Sequence, residues 1–407
     1  MLLKLAWRNI WRNRRRSIIT LGAVVFAALT AIAMRGIQLG TYSLNINSAA
    51  ELFSGYIQIQ AKGFVNNPSL ASSFAVDKKI KEALDTTPGV LGYAPRIYAD
   101  GLISFRDNSR SAMLLGIEPA KEKAVTTFIK NINMGKFFTS DSSNQIVVGY
   151  QLLKNLNAKI GDKIVLLAQG YDGALGNQNY EIIGTVKMGV QEIESATIFM
   201  GLKSAQSLLA MGSRVNVIAV KTTGLSHLDL IENTLSKKIK DPELRVLPWG
   251  EVNPELEQSI QLDNASGILF LGILIVIVAF GILNTVLMSV TERFREFGVL
   301  LAIGMPQINL TILVYIETIM IALMGLIIGN LLGYCVNYYL IIHPIALGKE
   351  AEEMYKLYHF LPQLNSTVQP SIFFSTSLSI LIISVLSCLY PAYKVYRLEP
   401  IKGIRHT

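Results

Sequence analysis

Four apolar stretches constrain this chain more than any other feature. They run over Ser17–Met34, Ala265–Val290, about Ile308–Ile342 and Ser371–Ala392, and only the third holds a charge, Glu317. A bilayer core is crossed by about 20 apolar residues. Within lipid, a segment of that length satisfies its backbone polar groups by becoming a helix. The third stretch is longer than needed, so it tilts or projects beyond the lipid. The composition agrees: 51% of residues are hydrophobic and 16% are charged, where a soluble domain carries about 25% charged residues. The reading is a membrane protein of four transmembrane α-helices, with a large α+β extracytoplasmic domain between helices 1 and 2.

The first stretch follows a basic segment, and Ala31-Ile-Ala33 has the look of a signal-peptide cleavage site. Its apolar part exceeds the usual 7–15-residue signal core, so it reads as an uncleaved anchor. Orientation follows from the flanking Lys and Arg. Residues 1–16 carry Lys4, Arg8, Arg12, Arg14, Arg15 and Arg16 and no acid. The tail 393–407 is also basic, whereas the loop 343–370 carries Glu350, Glu352 and Glu353 against two lysines. The net charge of +8 therefore sits mostly on the short ends. That places both termini in the cytoplasm and argues against nucleic acid as the partner.

The expected organisation is a cytoplasmic amphipathic helix over 1–16, transmembrane helices over 17–37, 265–290, 307–342 and 371–392, an extracytoplasmic domain over 38–264, a cytoplasmic helix over 291–306, an extracytoplasmic loop over 343–370 and a cytoplasmic tail over 393–407. Leu3, Trp7, Ile10 and Trp11 share one helical face, which suits a helix lying in the membrane interface. In the domain, Gly55-Tyr-Ile-Gln-Ile-Gln60 alternates as a strand does. Asp77–Thr87 reads as a helix stopped by Pro88-Gly89. Residues 170–179 are rich in Gly and Asn and read as an exposed loop. Two α+β lobes are expected, meeting between residues 120 and 145. Asn253 then caps a helix with Pro254 at its first position and Glu255 and Glu257 in its first turn. Nothing interrupts that helix through Val290, giving a rod of about 57 Å at 1.5 Å per residue.

Several chemistries find no support. There is no G-x-x-x-x-G-K-[ST] phosphate loop and no H-E-x-x-H pair among His227, His343, His359 and His406. Gly-x-Ser-x-Gly does not occur. Cys335 and Cys388 both lie in apolar stretches and suggest neither a disulfide framework nor a zinc site.

Three motifs join the topology. They are Ala6-Trp-Arg-Asn-Ile10 running to Arg14-Arg-Arg-Ser17, Glu292-Arg-Phe-Arg-Glu-Phe-Gly-Val-Leu-Leu-Ala-Ile-Gly304, and Tyr390-Pro-Ala-Tyr-Lys-Val-Tyr-Arg-Leu-Glu-Pro-Ile401. Together they resemble the FtsX-like, MacB-type ABC transporter permeases over nearly the whole chain. Gly116-Ile-Glu-Pro119, Ile146-Val-Val-Gly149, Ala158-Lys-Ile-Gly-Asp162 and Pro248-Trp249 look most like lipoprotein-releasing permeases of the LolC/LolE kind. The Gly170–Asn179 segment is longer and more Gly-rich than that pattern.

The resemblance implies a non-catalytic subunit of the bacterial inner membrane, with no cofactor in this chain. Two copies of a partner ATPase bind ATP and Mg, and a second permease, identical or related, faces this one. Glu292, Arg293, Phe294, Arg295, Glu296, Phe297 and Gly298 would form the helix that docks on the ATPase; the plain alternative is a solvated loop. Motion passed to the external domain would extract lipoproteins from the outer leaflet. The alternatives are MacB-like efflux of peptides or small hydrophobic compounds, and FtsX-like signalling.

Glu317 lies inside a span, where a carboxylate is costly and faces protein or water. The expected role is a polar contact with the cytoplasmic helices. Gly325, Gly329 and Gly333, and Ala23, Ala27 and Ala31, recur every four residues and read as helix-packing faces. The substrate-contacting residues are guessed at the outer ends of spans one and two: Ile37, Leu39, Leu262 and Ile268.

Overall fold

The computed structural model describes residues 2–12, 14–189, 191–348 and 361–399. The acids Glu350, Glu352 and Glu353 and the closing residues 400–407 lie outside the described residues. The chain divides into two compact units, one of residues 1–44 with 258–407 and one of residues 45–257.

The first unit is mainly helical, with one short antiparallel strand pair, Ile345–Ala346 with Gln363–Leu364. Leu2–Arg12 is a short amphipathic helix. Among the described residues, four helical segments are long and apolar enough to cross a membrane: Arg14–Ser54, Pro254–Glu292, Gln307–Ile342 and Pro370–Tyr396. They are spans one to four here. A separate helix, Phe294–Ala302, lies between spans two and three. The span-one helix does not stop near residue 37. It continues to Ala49 and closes with a π-turn over Ala50–Ser54. The polar residues that made this stretch look external are bonded instead. Arg35 donates to Gln38 Oε1 at 2.6 Å and to Asn264 Oδ1 at 2.7 Å.

Spans one and three pack through the glycine stripe. A Cβ on Gly325 would stand 2.7 Å from a methyl of Val24, one on Gly329 2.5 Å from Ala28, and one on Gly333 2.8 Å from Ile32. Small residues let the backbones approach, as association in lipid requires. The facing row is thus Val24, Ala28 and Ile32, one position beyond the expected Ala23, Ala27 and Ala31. Ala27 and Ala31 are still buried, while Ala23 is half-buried. Val278 and Ile282 of span two and Ile372 and Ile380 of span four join the same apolar cluster.

The second unit is α+β, with twelve strands among its described residues. They are β1 (Ile57–Ala61), β2 (Phe74–Ala75), β3 (Val90–Phe105), β4 (Asn108–Ile117), β5 (Ile132–Gly135), β6 (Gln145–Gly149), β7 (Lys163–Gln169), β8 (Leu175–Val186), β9 (Thr197–Gly201), β10 (Arg214–Val215), β11 (Val217–Thr222) and β12 (Leu244–Pro248). Ten of them form one sheet in the order β12-β1-β11-β3-β4-β9-β6-β8-β5, with β7 bridging β3 and β8. That bridge closes β3, β4, β9, β6, β8 and β7 into a ring. The period-two alternation of β7 turns Ile164, Leu166 and Ala168 into the core.

Two expectations change. The sheet does not break between residues 120 and 145, because β4 before that interval pairs with β9 after it. The long strand β3 belongs to both parts, pairing with β11 through its first half and with β7 near its end. Half of the expected loop 170–179 is strand. Only residues 170–174 turn, and Leu175–Asn179 pair with β7 in a hairpin. The Gly and Asn content marked the turn and ran on into the strand.

A buried ion pair ties the helices of this unit to the sheet. Arg96 and Glu122 are both fully buried. Their contact is bidentate, Nε to Oε2 at 3.0 Å and Nη2 to Oε1 at 2.5 Å. Arg96 Nη1 also donates to the Phe53 carbonyl at 2.6 Å and to Tyr98 Oη at 2.9 Å. Burial alone would lower the guanidinium pKa, but the Glu122 carboxylate and Tyr98 outweigh it and raise it, so Arg96 stays charged. Glu122 belongs to helix Pro119–Val125 and Phe53 to the π-turn.

Candidate functional site: the helix between spans two and three

Helix Phe294–Ala302 is amphipathic and sits on a tight turn. Arg293 caps its start with non-helical backbone, and Gly304 takes φ +101° at its exit, which glycine adopts without strain. Its inner face is fastened. Phe297 is fully buried with Val290, Leu310, Val314, Cys388 and Val395. Gly298 is buried beside it.

The polar side of the turn holds the intramembrane acid. Arg293 Nη1 lies 2.8 Å from Glu317 Oε2 and 3.1 Å from Oε1. Asn9 of the N-terminal helix donates through Nδ2 to Glu317 Oε1 at 2.7 Å. One carboxylate thus joins span three, the short helix and the N-terminal helix. Three further ion pairs reinforce this knot, Arg12 with Glu296, Arg16 with Glu292 and Arg293 with Glu296. The Arg293 side chain is 7% exposed and that of Glu317 14%, so burial makes this pair matter more than the Arg12–Glu296 pair, each side chain of which is 49% exposed. Arg293 also lies over the Phe297 ring at 4.9 Å.

Of the seven residues expected to dock, Arg293, Phe297 and Gly298 are turned inward and hold the helix in place. Glu292, Arg295 and Glu296 are exposed, and Phe294 is half-buried. Phe294 lines an open groove of about 350 Å³ with Tyr390, Tyr393, Lys394 and Arg397. Asn9 was missed as a site residue. Its signal was present, a lone amide between Trp7 and Trp11 on an otherwise apolar or basic helix.

At the other end of the first unit, Leu262 and Ile268 are 72% and 56% exposed, while Ile37 and Leu39 are half-buried. Between them runs a polar clamp that sequence reading did not single out. Tyr42 Oη donates to Asp263 Oδ2 at 2.5 Å, and Gln38 Nε2 donates to the Asp263 carbonyl at 2.9 Å. Arg35 and Asp263, the first charges beyond their apolar stretches, were the available signal.

Comparison with known proteins places this geometry in a family. Residues 17–237 match the family described as MacB-like periplasmic core domain. Residues 268–400 match the FtsX-like permease C-terminal family. The chain belongs to the FtsX-like, MacB-type ABC transporter permeases. It is 22% identical over 329 residues to the lipoprotein-releasing system transmembrane protein LolC of Xylella fastidiosa (strain 9a5c), covering 79% of each chain. With the LolC of Neisseria meningitidis serogroup B it shares 21% over 392 residues, covering 93% of this chain and 94% of the relative. The macrolide export ATP-binding/permease protein MacB of Acinetobacter baylyi is 21% identical over 83% of this chain, which spans 51% of that longer protein.

Proposed function

We propose that this permease is the non-catalytic membrane subunit of an ABC transporter that extracts lipoproteins from the outer leaflet of the bacterial inner membrane. Its termini are cytoplasmic, and the α+β unit between spans one and two stands on the other side. Two copies of a separate ATPase supply the ATP and its Mg²⁺, and a second permease, identical or related, completes the complex. The LolC relatives, named as parts of lipoprotein-releasing systems, support the cargo.

One observation carries the coupling role: the Glu317 carboxylate binds both Arg293 and Asn9. A push on helix Phe294–Ala302 is then borne by span three and the N-terminal helix together. A solvated loop would need no buried ion pair, which costs desolvation unless its partners are fixed. The exposed Glu292, Arg295 and Glu296, with the groove at Phe294, offer the face on which an ATPase docks.

The test is to purify the nucleotide-free complex and identify what it retains by mass spectrometry. A stoichiometric ATP-binding subunit and a triacylated protein are expected. A small apolar compound in place of the protein would favour efflux, the activity named for the MacB relative. Absence of any ATP-binding subunit would defeat the proposal.

A further inference from the structure

We infer that the unit of residues 45–257 holds a binding site for an apolar ligand carrying an N–H or ammonium donor, in a cavity of about 660 Å³. Its walls include Phe53, Phe64, Leu70, Tyr98, Met113 and Val217. Ligand sites are commonly of this size, mostly apolar, with a few placed polar groups.

The polar groups come from β1, and their placement is unusual. This strand lies between β11 and β12 and is buried on both faces. Ile57 and Ile59 fill the core on one side, as the period of two requires. Gln58 and Gln60 occupy the other side, 4% and 3% exposed, and both line the cavity. Two amides on the buried face of an interior strand cost stability unless each polar atom is partnered.

Most of these atoms are partnered. Gln58 Nε2 donates to the Ser54 carbonyl at 2.7 Å, and Gln60 Nε2 donates to Gln58 Oε1 at 2.6 Å. The carbonyl at the head of this relay can only accept, so the orientation of both amides is fixed. The relay therefore ends in an acceptor, Gln60 Oε1, and no donor among the described residues reaches it. A ligand hydrogen-bond donor completes the relay.

The charges lining the cavity select the same ligand. Among the described residues, none that lines it is Lys, Arg or His, and Asp100 is the one charged residue there. Phosphate and carboxylate headgroups find no cation there, while an ammonium or amide N–H finds acceptors. Phe53 and Ser54 close the span-one helix, and Val252 and Asn253 precede the span-two helix. All four line the cavity, so an occupant touches both segments.

The test uses the full chain in nanodiscs with Cys335→Ser, Cys388→Ala and Met113→Cys. The rate of maleimide modification at position 113 is measured with dodecylamine and, separately, with dodecyl sulfate. Dodecylamine slows modification severalfold and dodecyl sulfate does not. Gln60→Leu raises the amine concentration needed by roughly tenfold, and the isosteric Gln60→Glu, which gives up the donation to Gln58 but sets a carboxylate at the acceptor position, lowers it. Equal protection by both amphiphiles, protection by neither, or an unchanged amine response in the Gln60→Glu chain overturns the site. No ATPase enters this assay, so its failure leaves the transport reading untouched and the reverse also holds.

Discussion

Arg293 and Glu317 stand 24 residues apart in sequence and form a buried ion pair, with Nη1 2.8 Å from Oε2. The arginine precedes the helix between spans two and three, and the acid lies about three turns into span three. This pair converts a surface helix into part of the bundle.

Removing one partner leaves the other charge buried. Glu317→Leu and Arg293→Leu should each lower stability by about 3–5 kcal/mol, and the double substitution by less than their sum. Thermal unfolding of the purified protein in detergent measures all three. Strict additivity would show that the two charges do not act on each other.

The Glu296 pair behaves differently. Arg12 and Glu296 are half exposed, so their attraction contributes at most about 1 kcal/mol. Glu296 also lies 3.4 Å from Arg293 Nε, so the neutral Glu296→Gln, which adds no cation there, should insert and melt near the parent while losing the ATPase subunit on co-purification. Retention of a full complement of ATPase would remove Glu296 from the docking face.

Glycine contacts separate packing from surface. Gly329→Val forces a side chain onto Ala28, and over-packing of this kind costs about 1–3 kcal/mol. Gly272 in span two has nothing within 4 Å of its would-be Cβ, so Gly272→Val should leave the melting temperature of the isolated chain nearly unchanged. Equal losses at both positions would contradict close packing of spans one and three.

Arg96 holds the π-turn of span one through the Phe53 carbonyl. Arg96→Met strands the Glu122 carboxylate in the core, at a cost of about 3–5 kcal/mol. Amide hydrogen exchange around residues 50–54 should accelerate, while the barrel strands β6 and β8 keep their protection. Slow exchange throughout would mean that the turn is held by other contacts.

The membrane helices were legible because an apolar run of that length with at most one charge has few alternatives in water or lipid. The start of the span-two helix at Pro254 was legible for the same local reason, since Pro at a first helical position needs no partner. The continuation of span one past Met34 was not, because Arg35, Gln38 and Tyr42 look like solvent residues until Asp263 and Asn264 are brought alongside. Strand identity was often readable from alternation, but the sheet order depends on pairings such as Leu114 with Ile198 that no local pattern records. The same limit applies at the site. Glu317 announced itself as an acid in a span, and Arg293 as a charge in a short loop. Their contact follows from the reversal at Arg293 and Gly304, and Asn9 enters only through the packing of the N-terminal helix.

The most direct measurement is ATP-driven release of a labelled triacylated lipoprotein from proteoliposomes, with ATP hydrolysis recorded alongside. Neither activity is expected from this chain alone, both when its ATP-binding partner and companion permease are present, and hydrolysis without release when Arg293 and Glu317 are both replaced by leucine. Hydrolysis or release by the isolated chain, or full release from the doubly substituted complex, would contradict that expectation.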